Sequence, residues 1–327
     1  MGVVAGEKPR VSVVMPAYNA ARTLRAAIDS VLAQDFSDLE LIVCDDASRD
    51  DTAALLATYT DPRLKVVRNA ANLGEGGARD RAIAEARGAW IAVIDADDAW
   101  LPGRLSALLA AAGTREDVLV FDDLLECHDV DGRMVPWRRL RGGRAFGANR
   151  TDPVAAAFPD FIRQRRLLIK PLFPARPVRD FSVCHSARRF GADTEYFLRL
   201  IGHGLSLLYV PHAFYLYRLT PGSMSSTSGR ESLMLEVLVA ASRQVGWSPP
   251  ERAGLAYKIR AVERSARYAG FLAAVRGRSW LAACRQLVGN PDLCFEFLLR
   301  LPETIAYRLH RKWHGGAGRP VSGVRQE

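Results

Sequence analysis

Three aspartates, Asp95, Asp97 and Asp98 (the acidic cluster), follow directly on an apolar run at 90–94. The run is typical of a buried strand, and in an open α/β sheet ligands bind just beyond the carboxyl ends of the strands. Carboxylates crowded at such a place repel one another unless a cation joins them. Oxygen ligands favour Mg²⁺ or Mn²⁺, ions that commonly hold phosphate groups. A solvated acidic turn is the alternative, because Asp-x-Asp alone is a weak motif.

Two earlier strand ends carry residues that suit a nucleotide. Pro16, Tyr18 and Asn19 follow the first strand, and Asp45 and Asp46 follow the second. Tyr18 offers a flat face for a base, and Asp46 can accept the imino N–H of a uracil. The acidic cluster can reach a ribose and a metal bound to a diphosphate, so the three strand ends predict one nucleotide pocket. A capping or loop role is favoured for Asp45.

The elements that must position these residues alternate between strands and helices. Apolar runs predict strands at 11–15, 39–44, 64–68, 90–95 and 118–121. Helical periodicity and capping residues predict intervening helices at 20–34, 50–59, 76–86 and 102–112. This order predicts a mostly parallel sheet with helices on both faces. Further on we expect a hairpin at 124–128 and 134–137, and helices at 153–166, 193–204, 231–245, 250–275, 279–288 and 292–313.

The composition predicts a globular protein with one large α/β domain and an appendage, since 49% of its 327 residues are hydrophobic and 25% charged. Five isolated cysteines without CxxC spacing favour a reducing cytosol and disfavour a zinc site. No signal-peptide core is expected at the N-terminus. The longest stretch without charged residues, 200–217, contains His, Gly and Pro and is not predicted to span a membrane.

The net charge of +9 is concentrated in the last third of the chain. Residues 230–327 contain 16 Lys and Arg against 8 Asp and Glu, and so carry eight of the nine excess positive charges. The stretch 279–313 mixes aromatic and aliphatic residues with basic ones, a pattern typical of helices in an anionic membrane interface. Packing of these helices on the rest of the protein is the alternative, and both stay open. Nucleic-acid binding is not expected, because no recognised module is present.

Taken together, the strand-end residues resemble those of the family 2 glycosyltransferases, in particular the bacterial exopolysaccharide type. The matching segments are VSVVMPAYNA (11–20), FSDLELIVCDDASRDDT (36–52), NLGEGGARDRAIAEARGAWIAVIDADDAWLP (72–102) and YRLTPGSMS (217–225). The resemblance implies the GT-A fold, an α/β, Rossmann-like architecture with a mostly parallel sheet. The domains that it implies are a glycosyltransferase domain at 10–228, with a nucleotide-sugar half at 10–122 and an acceptor half at 123–228, and a basic helical extension at 229–327.

The resemblance also implies roles for the matching residues. Those implied to bind the nucleotide sugar are Pro16, Tyr18, Asn19, Asp46, Arg79, Asp95, Asp97 and Arg218. Asp97 and Asp98 match the pair that touches ribose and metal, although the choice of ligand within the acidic cluster stays open. The family usually follows the arginine with Asn, whereas this chain has Asp80.

The catalytic base implied by the resemblance is Asp193. An inverting transfer needs a carboxylate that deprotonates the acceptor hydroxyl as it attacks the anomeric carbon. The family places this base in a Glu-Asp pair that opens a helix, and here Ala192 replaces the Glu. Helix capping is the alternative role for Asp193, and Glu195 is the alternative base.

Two other regions of the acceptor half carry functional expectations. Arg218 could neutralise a leaving diphosphate, with a structural salt bridge as the alternative, and Thr220 stands where many relatives have His. Lys170 adds positive charge to a basic segment at 163–170 that would suit a lipid-diphosphate acceptor, with a solvated basic face as the favoured alternative. His185 follows Cys184, but this adjacency alone is poor evidence for a nucleophile.

The resemblance therefore predicts a metal-dependent inverting glycosyltransferase of exopolysaccharide or cell-envelope glycan assembly. It would use Mn²⁺ or Mg²⁺ and move a hexose from a nucleotide sugar, with UDP the expected nucleotide, to a glycan or polyprenyl-diphosphate-linked acceptor. We expect a cytoplasmic protein, with peripheral contact to the inner face of the membrane left open. Ala192 and Thr220 leave open a catalytically degenerate scaffold at the membrane. A nucleotidyltransferase is disfavoured, because no Gly-rich loop with Lys follows the first strand.

Overall fold

The structure is a computed structural model that describes residues 8–141, 145–149, 151–188, 190–219, 230–244, 246–290 and 293. Its strands β1 to β12 are Val11–Ala17, Leu39–Asp45, Leu64–Arg68, Trp90–Val93, Ala99–Trp100, Val118–Phe121, Leu124–Val130, Arg133–Arg139, Val154–Ala156, Leu172–Pro174, Ser206–Tyr209 and Tyr215–Leu219. Its helices α1 to α10 are Leu24–Leu32, Thr52–Leu56, Gly74–Ala84, Arg104–Ala112, Phe158–Ile162, Ala175–Asp180, Ala192–Gly202, Arg230–Ser242, Pro249–Arg276 and Trp280–Gly289.

The larger sheet has the strand order β3-β2-β1-β4-β10-β6-β11-β9. Strands β1, β2, β3 and β4 pair in parallel, as do β6 and β11. Strands β1, β2, β4 and β6 are buried along their whole length, which explains their continuous apolar runs. The predicted α/β architecture with a mostly parallel sheet is confirmed.

Strand β10 departs from this parallel pattern. It lies antiparallel between β4 and β6, where Leu172 pairs with Ala92 on one side and with Val120 on the other. No strand was predicted at 172–174, because three residues are too few for a recognisable hydrophobic period. The insertion matters for the site because it brings the segment around residue 170 beside the end of β4.

A smaller sheet has the strand order β5-β12-β7-β8, and its strands alternate in sequence with those of the main sheet. The predicted hairpin is confirmed as β7 and β8, which are antiparallel and joined through Asp131 and Gly132. Both turn residues have positive φ angles, 51° and 80°, as a two-residue hairpin turn requires. Strand β12 pairs in parallel with β7, and this pairing sets the position of Arg218.

The predicted helix at 153–166 is wrong over most of its length. Residues Val154–Ala156 form the edge strand β9 against β11, and only Phe158–Ile162 is helical. The backbone of 154–156 is bonded across the sheet instead of within a helix. The other predicted helices are confirmed with ends that differ by a few residues, except the one at 292–313, where all residues but Leu293 lie outside the described residues.

The chain divides into two compact units, one ending at Ile259 and the other beginning at Arg260. This division falls later than the 228/229 boundary expected from the sequence, since α8 packs on α7 within the first unit. The close approach of the two helices depends on Gly191, where an added Cβ would meet Val237 at 3.0 Å. No helix in the described part of the chain is long and apolar enough to cross a bilayer.

Candidate active site

The three predicted strand ends meet at one edge of the main sheet. The register pairs Ala17 with Asp45, and the backbone N–H of Asp46 donates to the carbonyl of Ala17 at 2.8 Å. On the other side of β1, Ile94 N–H donates to Val14 O at 3.2 Å. Parallel pairing therefore brings the residues after β1, β2 and β4 together, as predicted.

The turn after β1 is tied to the turn after β2. Asn19 has a φ of 48°, its backbone N–H donates to Ser48 Oγ at 3.0 Å, and its Oδ1 accepts from Arg49 N–H at 2.8 Å. These bonds fix the turn, while the Tyr18 side chain stays 46% exposed. Pro16 is buried inside β1 itself. The ring of Tyr18 is thus presented at the sheet edge on a rigid support.

Asp46 holds the start of α3. Its buried carboxylate accepts hydrogen bonds from the backbone N–H groups of Leu73 and Gly74, both at 2.9 Å, and from Asn69 Nδ2 at 2.8 Å. A negative charge at a helix N-terminus is favourable, because it meets free N–H groups and the positive end of the helix dipole. The observed partners of Asp46 are therefore the chain's own donors, and recognition of a base by Asp46 stays a prediction.

The acidic cluster is compact and largely buried. One carboxylate oxygen from each of its three aspartates lies within 4.8 Å of the others. Asp98 accepts from Tyr215 Oη at 2.7 Å and from the backbone N–H of Arg218 at 2.8 Å. Burial raises the pKa of Asp97 to about 6, and the charge of Asp95 adds to the effect. Burial, and then Asp97 and Asp95, also raise the pKa of Asp98 well above its usual value.

Arg218 is part of the scaffold around this cluster. Its Nε donates to the carbonyl of Asp97 at 2.7 Å, and Nη1 pairs with Asp129 at 2.7 Å, with the side chain almost wholly buried. The structural salt bridge considered for Arg218 is thus present. A contact of Arg218 with a leaving diphosphate stays a prediction. Thr220 and the segment 221–225 lie outside the described residues.

Two buried cations join the acidic cluster to Asp193. Arg79 Nη2 donates to Asp95 Oδ1 and Glu75 Oε1, each at 2.8 Å, and Arg79 Nη1 donates to Asp193. Lys170 Nζ donates to Asp95 Oδ2 and, at 3.2 Å, to Asp193 Oδ2. We call this set of five residues the charged centre. Its two cations, Arg79 and Lys170, bridge Asp95, which is predicted to bind the donor, and Asp193, which is predicted to act on the acceptor.

The charges of this centre stabilise one another. Burial acts to raise the pKa of Asp193, but the charges of Arg79 and Lys170 outweigh it and hold that pKa well below its usual value. Burial likewise acts to lower the pKa of Lys170, but Asp95 and Asp193 raise it above its usual value. The interpretation of Lys170 as part of a solvated basic face is wrong, because its side chain is only 3% exposed.

The backbone also fixes Lys170. Arg104 donates from Nη2 to the carbonyl of Lys170, and the same guanidinium pairs with buried Asp122 at 2.8 Å. Because Lys170 immediately precedes Pro171 and β10, the inserted strand and Arg104 together determine where its ammonium group lies. Sequence analysis placed Lys170 in a basic segment but had no signal for this long-range pairing.

Helix α7 carries both Asp193 and Glu195, and the two carboxylates have different partners. The helix starts after Gly191, whose φ is 76°, and Asp193 lies in its first turn. Glu195 is buried and accepts from Ser186 Oγ at 2.7 Å, Arg188 Nε at 3.0 Å and Arg199 Nη2 at 2.6 Å. These partners commit Glu195 to the packing of its own segment, which favours Asp193 as the base.

Asp80 and His185 form a further pair beside Asp193. The backbone N–H of His185 donates to Asp80 Oδ2 at 2.8 Å, and its Nδ1 lies 2.6 Å from Asp80 Oδ1. The imidazole stacks on Tyr196 with a centroid distance of 4.1 Å. From the sequence, Asp80 is only a departure from the usual Asn, and His185 has no predicted role. The two residues lie too far apart in sequence for local patterns to pair them.

Two solved structures share the fold. The crystal structure of S. aureus TarS in complex with UDP-GlcNAc superposes with a TM-score of 0.65 at 19% identity, over 87% of this chain and 81% of that one. The mannosyltransferase PcManGT from Pyrobaculum calidifontis, in complex with GDP-Man and Mn²⁺, gives 0.59 at 18% identity over 94% and 84%. The predicted GT-A fold is confirmed.

The sequence comparisons identify the family. Residues 12–173 match the model described as Glycosyl transferase family 2. Succinoglycan biosynthesis protein ExoO of Rhizobium meliloti is 34% identical over 227 residues, which cover 66% of this chain and 63% of the relative. The Escherichia coli UDP-Glc:alpha-D-GlcNAc-diphosphoundecaprenol beta-1,3-glucosyltransferase WfgD is 43% identical over 95 residues, 29% of this chain and 38% of the relative. The chain thus spans less than two thirds of these relatives, and its residues 12–173 form a family 2 glycosyltransferase domain.

Proposed function

We propose that this protein is an inverting glycosyltransferase that moves a hexose from a nucleotide sugar to a hydroxyl of a lipid-linked or polysaccharide glycan. The observation that supports this proposal is the bridge that Arg79 and Lys170 make between Asp95 and Asp193. Donor and acceptor must be held within reacting distance for transfer to occur. The donor-side carboxylate Asp95 and the acceptor-side carboxylate Asp193 share two cations, so they mark the place where donor and acceptor would meet.

The acidic cluster fits a divalent cation. Its ligands are carboxylate oxygens, and the raised pKa values of Asp97 and Asp98 reflect a repulsion that a cation would relieve. Asp95 is engaged by Arg79 and Lys170, and Asp98 by Tyr215 and the Arg218 backbone. Asp97 is therefore the principal ligand that we propose, with Asp98 beside it. When bound, Mn²⁺ or Mg²⁺ supplies positive charge to the leaving diphosphate.

Glu75, Asp95 and Asp193 form a second group of close carboxylates. Arg79 and Lys170 already supply positive charge within this group, so we assign it no metal. We propose that Asp193 accepts the proton of the acceptor hydroxyl as that oxygen bonds to the anomeric carbon and the bond to diphosphate breaks.

The acceptor and the setting are proposed from the relatives and from the charge of the chain. WfgD is named for an acceptor linked to diphosphoundecaprenol, and ExoO for succinoglycan biosynthesis. We propose a polyprenyl-diphosphate-linked glycan acceptor, UDP as the donor nucleotide, and a place in exopolysaccharide or cell-envelope assembly. The eight excess positive charges of residues 230–327 suit an anionic membrane surface, where such an acceptor lies. Peripheral association with the cytoplasmic face of the membrane follows from this proposal.

The test is nucleoside diphosphate release by the full chain from UDP-glucose, UDP-galactose, UDP-GlcNAc and GDP-mannose. Each donor is assayed with Mn²⁺, with Mg²⁺ and with chelator, in the presence and absence of a GlcNAc-diphospholipid acceptor. We expect metal-dependent release from one donor, faster with acceptor, and lost in Asp193→Asn and Asp97→Asn. Asp117→Asn is the matched control, because Asp117 is an exposed carboxylate paired with Arg115.

The contrary result would be no release from any donor together with no metal-dependent nucleotide binding. That outcome would replace the enzymatic proposal with the alternative of a catalytically inactive scaffold. Release that persists in Asp193→Asn would leave the protein a transferase but overturn the assignment of the base.

A further inference from the structure

The imidazole of His185 is buried and rigidly held, although the scheme above gives it no part. Its side chain is 0% exposed. Asp80 binds the backbone N–H of His185 through one oxygen and approaches ring Nδ1 through the other. An ionised carboxylate only accepts hydrogen bonds, so Nδ1 is the ring nitrogen that carries the proton. Stacking on Tyr196, with an interplanar angle of 5°, fixes the plane of the ring.

The other ring nitrogen faces the proposed base. His185 Nε2 lies 3.6 Å from Asp193 Oδ1, and within the described part of the chain it is a buried nitrogen without a hydrogen-bond partner. With the proton on Nδ1, a neutral ring turns the Nε2 lone pair towards a carboxylate oxygen. A buried polar atom left unpaired is unfavourable. One added proton between Nε2 and Asp193 Oδ1 would give Nε2 a hydrogen-bond partner, while Oδ1 already accepts from Arg79.

We propose that Asp80 and His185 form a proton relay behind Asp193, an inference that rests on the proposed function. The acceptor hydroxyl gives its proton to Asp193 while its oxygen bonds to the anomeric carbon and the bond to diphosphate breaks. The proton then moves from the Asp193 carboxyl group to the Nε2 lone pair. The products are an Asp193 carboxylate and a His185 imidazolium between two carboxylates. When the products leave, the proton returns from His185 to Asp193, whose side chain is 21% exposed, and passes from there to water.

The electrostatics of the charged centre explain why a second proton acceptor is useful. Arg79 and Lys170 hold the pKa of Asp193 well below its usual value, so this carboxylate retains a proton poorly. The transfer from Asp193 to His185 returns Asp193 to the ionised form that its two cations stabilise.

The surroundings of the ring support the same role. The ionisable groups that face it are Asp80 from α3 and Asp193 and Tyr196 from α7, and Arg79 pairs with the same Asp193 oxygen that Nε2 faces. Two carboxylates therefore flank the imidazolium. Gly76 lets α3 approach the ring, because an added Cβ there would lie 2.9 Å from His185 Cβ. Asp80 has the residue type that this role needs, since an Asn amide would neither force the proton onto Nδ1 nor balance the imidazolium charge.

The first test reads the tautomer directly and needs no substrate. In protein labelled with ¹⁵N-histidine, the His185 signals are assigned by their loss in His185→Gln. Native protein with a neutral ring should show a protonated Nδ1 and a bare Nε2, and Asp80→Asn should weaken this preference. A native ring with Nε2 protonated, whether or not Nδ1 also carries a proton, would overturn the relay, because Nε2 would have no lone pair to offer.

The second test uses the donor that gives nucleoside diphosphate release in the panel above. His185→Gln keeps a side chain of similar reach that cannot accept a proton, and we expect kcat to fall about 100-fold or more with the donor KM unchanged. Asp80→Asn should lower kcat less. His203→Gln is the matched control, because His203 stacks on Phe181 away from the charged centre.

The outcomes separate the relay from the enzymatic proposal. If His185→Gln keeps native kcat while Asp193→Asn loses activity, the relay is wrong and the base assignment stands. If neither substitution changes kcat, the base assignment fails as well. Thermal unfolding of each variant identifies a folding defect, in which case the tautomer of the native protein decides.

Discussion

Two groups of carboxylates lie at the same edge of the sheet and differ in the source of their positive charge. In the charged centre, Arg79 and Lys170 neutralise Asp193 and hold its pKa below the usual value. In the acidic cluster, burial raises the pKa of Asp97 to about 6. On the acceptor side of the site, the chain therefore supplies its own cations. On the donor side it leaves negative charge for a ligand to neutralise.

The largest effect that we expect comes from removing the charge of Asp193 without changing its shape. Asp193→Asn should lower acceptor-dependent nucleoside diphosphate formation by roughly 10²- to 10⁴-fold, because a positioned base contributes about that much. The measurement is kcat under saturating donor. Asn retains the size of the side chain, so binding of Mn²⁺ at the acidic cluster should persist in this variant. A variant that loses metal binding together with activity would contradict the separation of the two groups.

A second prediction concerns stability and compares two lysines. Lys170→Met should lower the free energy of unfolding by about 3–5 kcal/mol, because it removes one of the two buried cations and leaves Asp95 and Asp193 to share Arg79. Lys65→Met is the matched control, since Lys65 pairs with Glu85 at the surface and such pairs contribute about 0–1 kcal/mol. Urea unfolding measures both. Equal losses of unfolding free energy in the two variants would show that the ion pairs of Lys170 stabilise the protein no more than a surface ion pair does.

A third prediction tests the open charge of the acidic cluster. Mn²⁺ at 100 times its Kd should stabilise the native protein by about 2.7 kcal/mol, a shift visible in thermal unfolding. Asp97→Asn should abolish the shift, because it removes the principal ligand that we propose. Asp117→Asn should retain it. An undiminished shift in Asp97→Asn would place the metal elsewhere.

A last prediction concerns Lys258, a buried lysine for which the described part of the chain provides no carboxylate partner. Lys258 Nζ donates to the carbonyl of Gln164 at 2.5 Å, and burial lowers its pKa from 10.5 to about 8. At pH values between about 8 and 10.5, the unfolded chain binds more protons than the native protein. Stability should therefore rise with pH across that window, by about 1.4 kcal/mol per pH unit at most.

The measurement for Lys258 is the free energy of unfolding at intervals from pH 8 to 10.5. Lys258→Met should remove this component of the slope, while Lys65→Met should leave it in place. The same slope in native protein and Lys258→Met would show that the ammonium group is not destabilised in the folded state.

The sheet and the meeting of its strand ends were predictable, because they depend on local patterns. The apolar runs of β1, β2 and β4 are continuous, and parallel pairing brings their carboxyl ends together. Strands β9 and β10 were missed, since three-residue strands have no period and depend on pairing with distant partners. The bounds of α1 to α4 were predicted more closely than any element between 145 and 175.

The candidate site was predictable in its residue types but not in their partners. Asp193 and the acidic cluster were recognised from motifs, and the structure joins them through cations. The tie of Asp46 to α3 and the contact of Arg218 with Asp97 depend on which donors lie nearby in three dimensions. Lys170 and His185 were seen only as a basic residue and a lone histidine. Their surroundings come from segments far away in sequence.

Strand β10 has a consequence for the order in which the protein is made. Strands β4 and β6 have no direct hydrogen bonds to each other, and residues 172–174 fill the gap between them. During synthesis both inner edges stay open until this late segment emerges from the ribosome. A polypeptide that stops at residue 122 would leave the inner edge of β4 and both edges of β6 unpaired and should associate with itself. The nucleotide-sugar half, residues 10–122, therefore needs a strand from the acceptor half to fold stably.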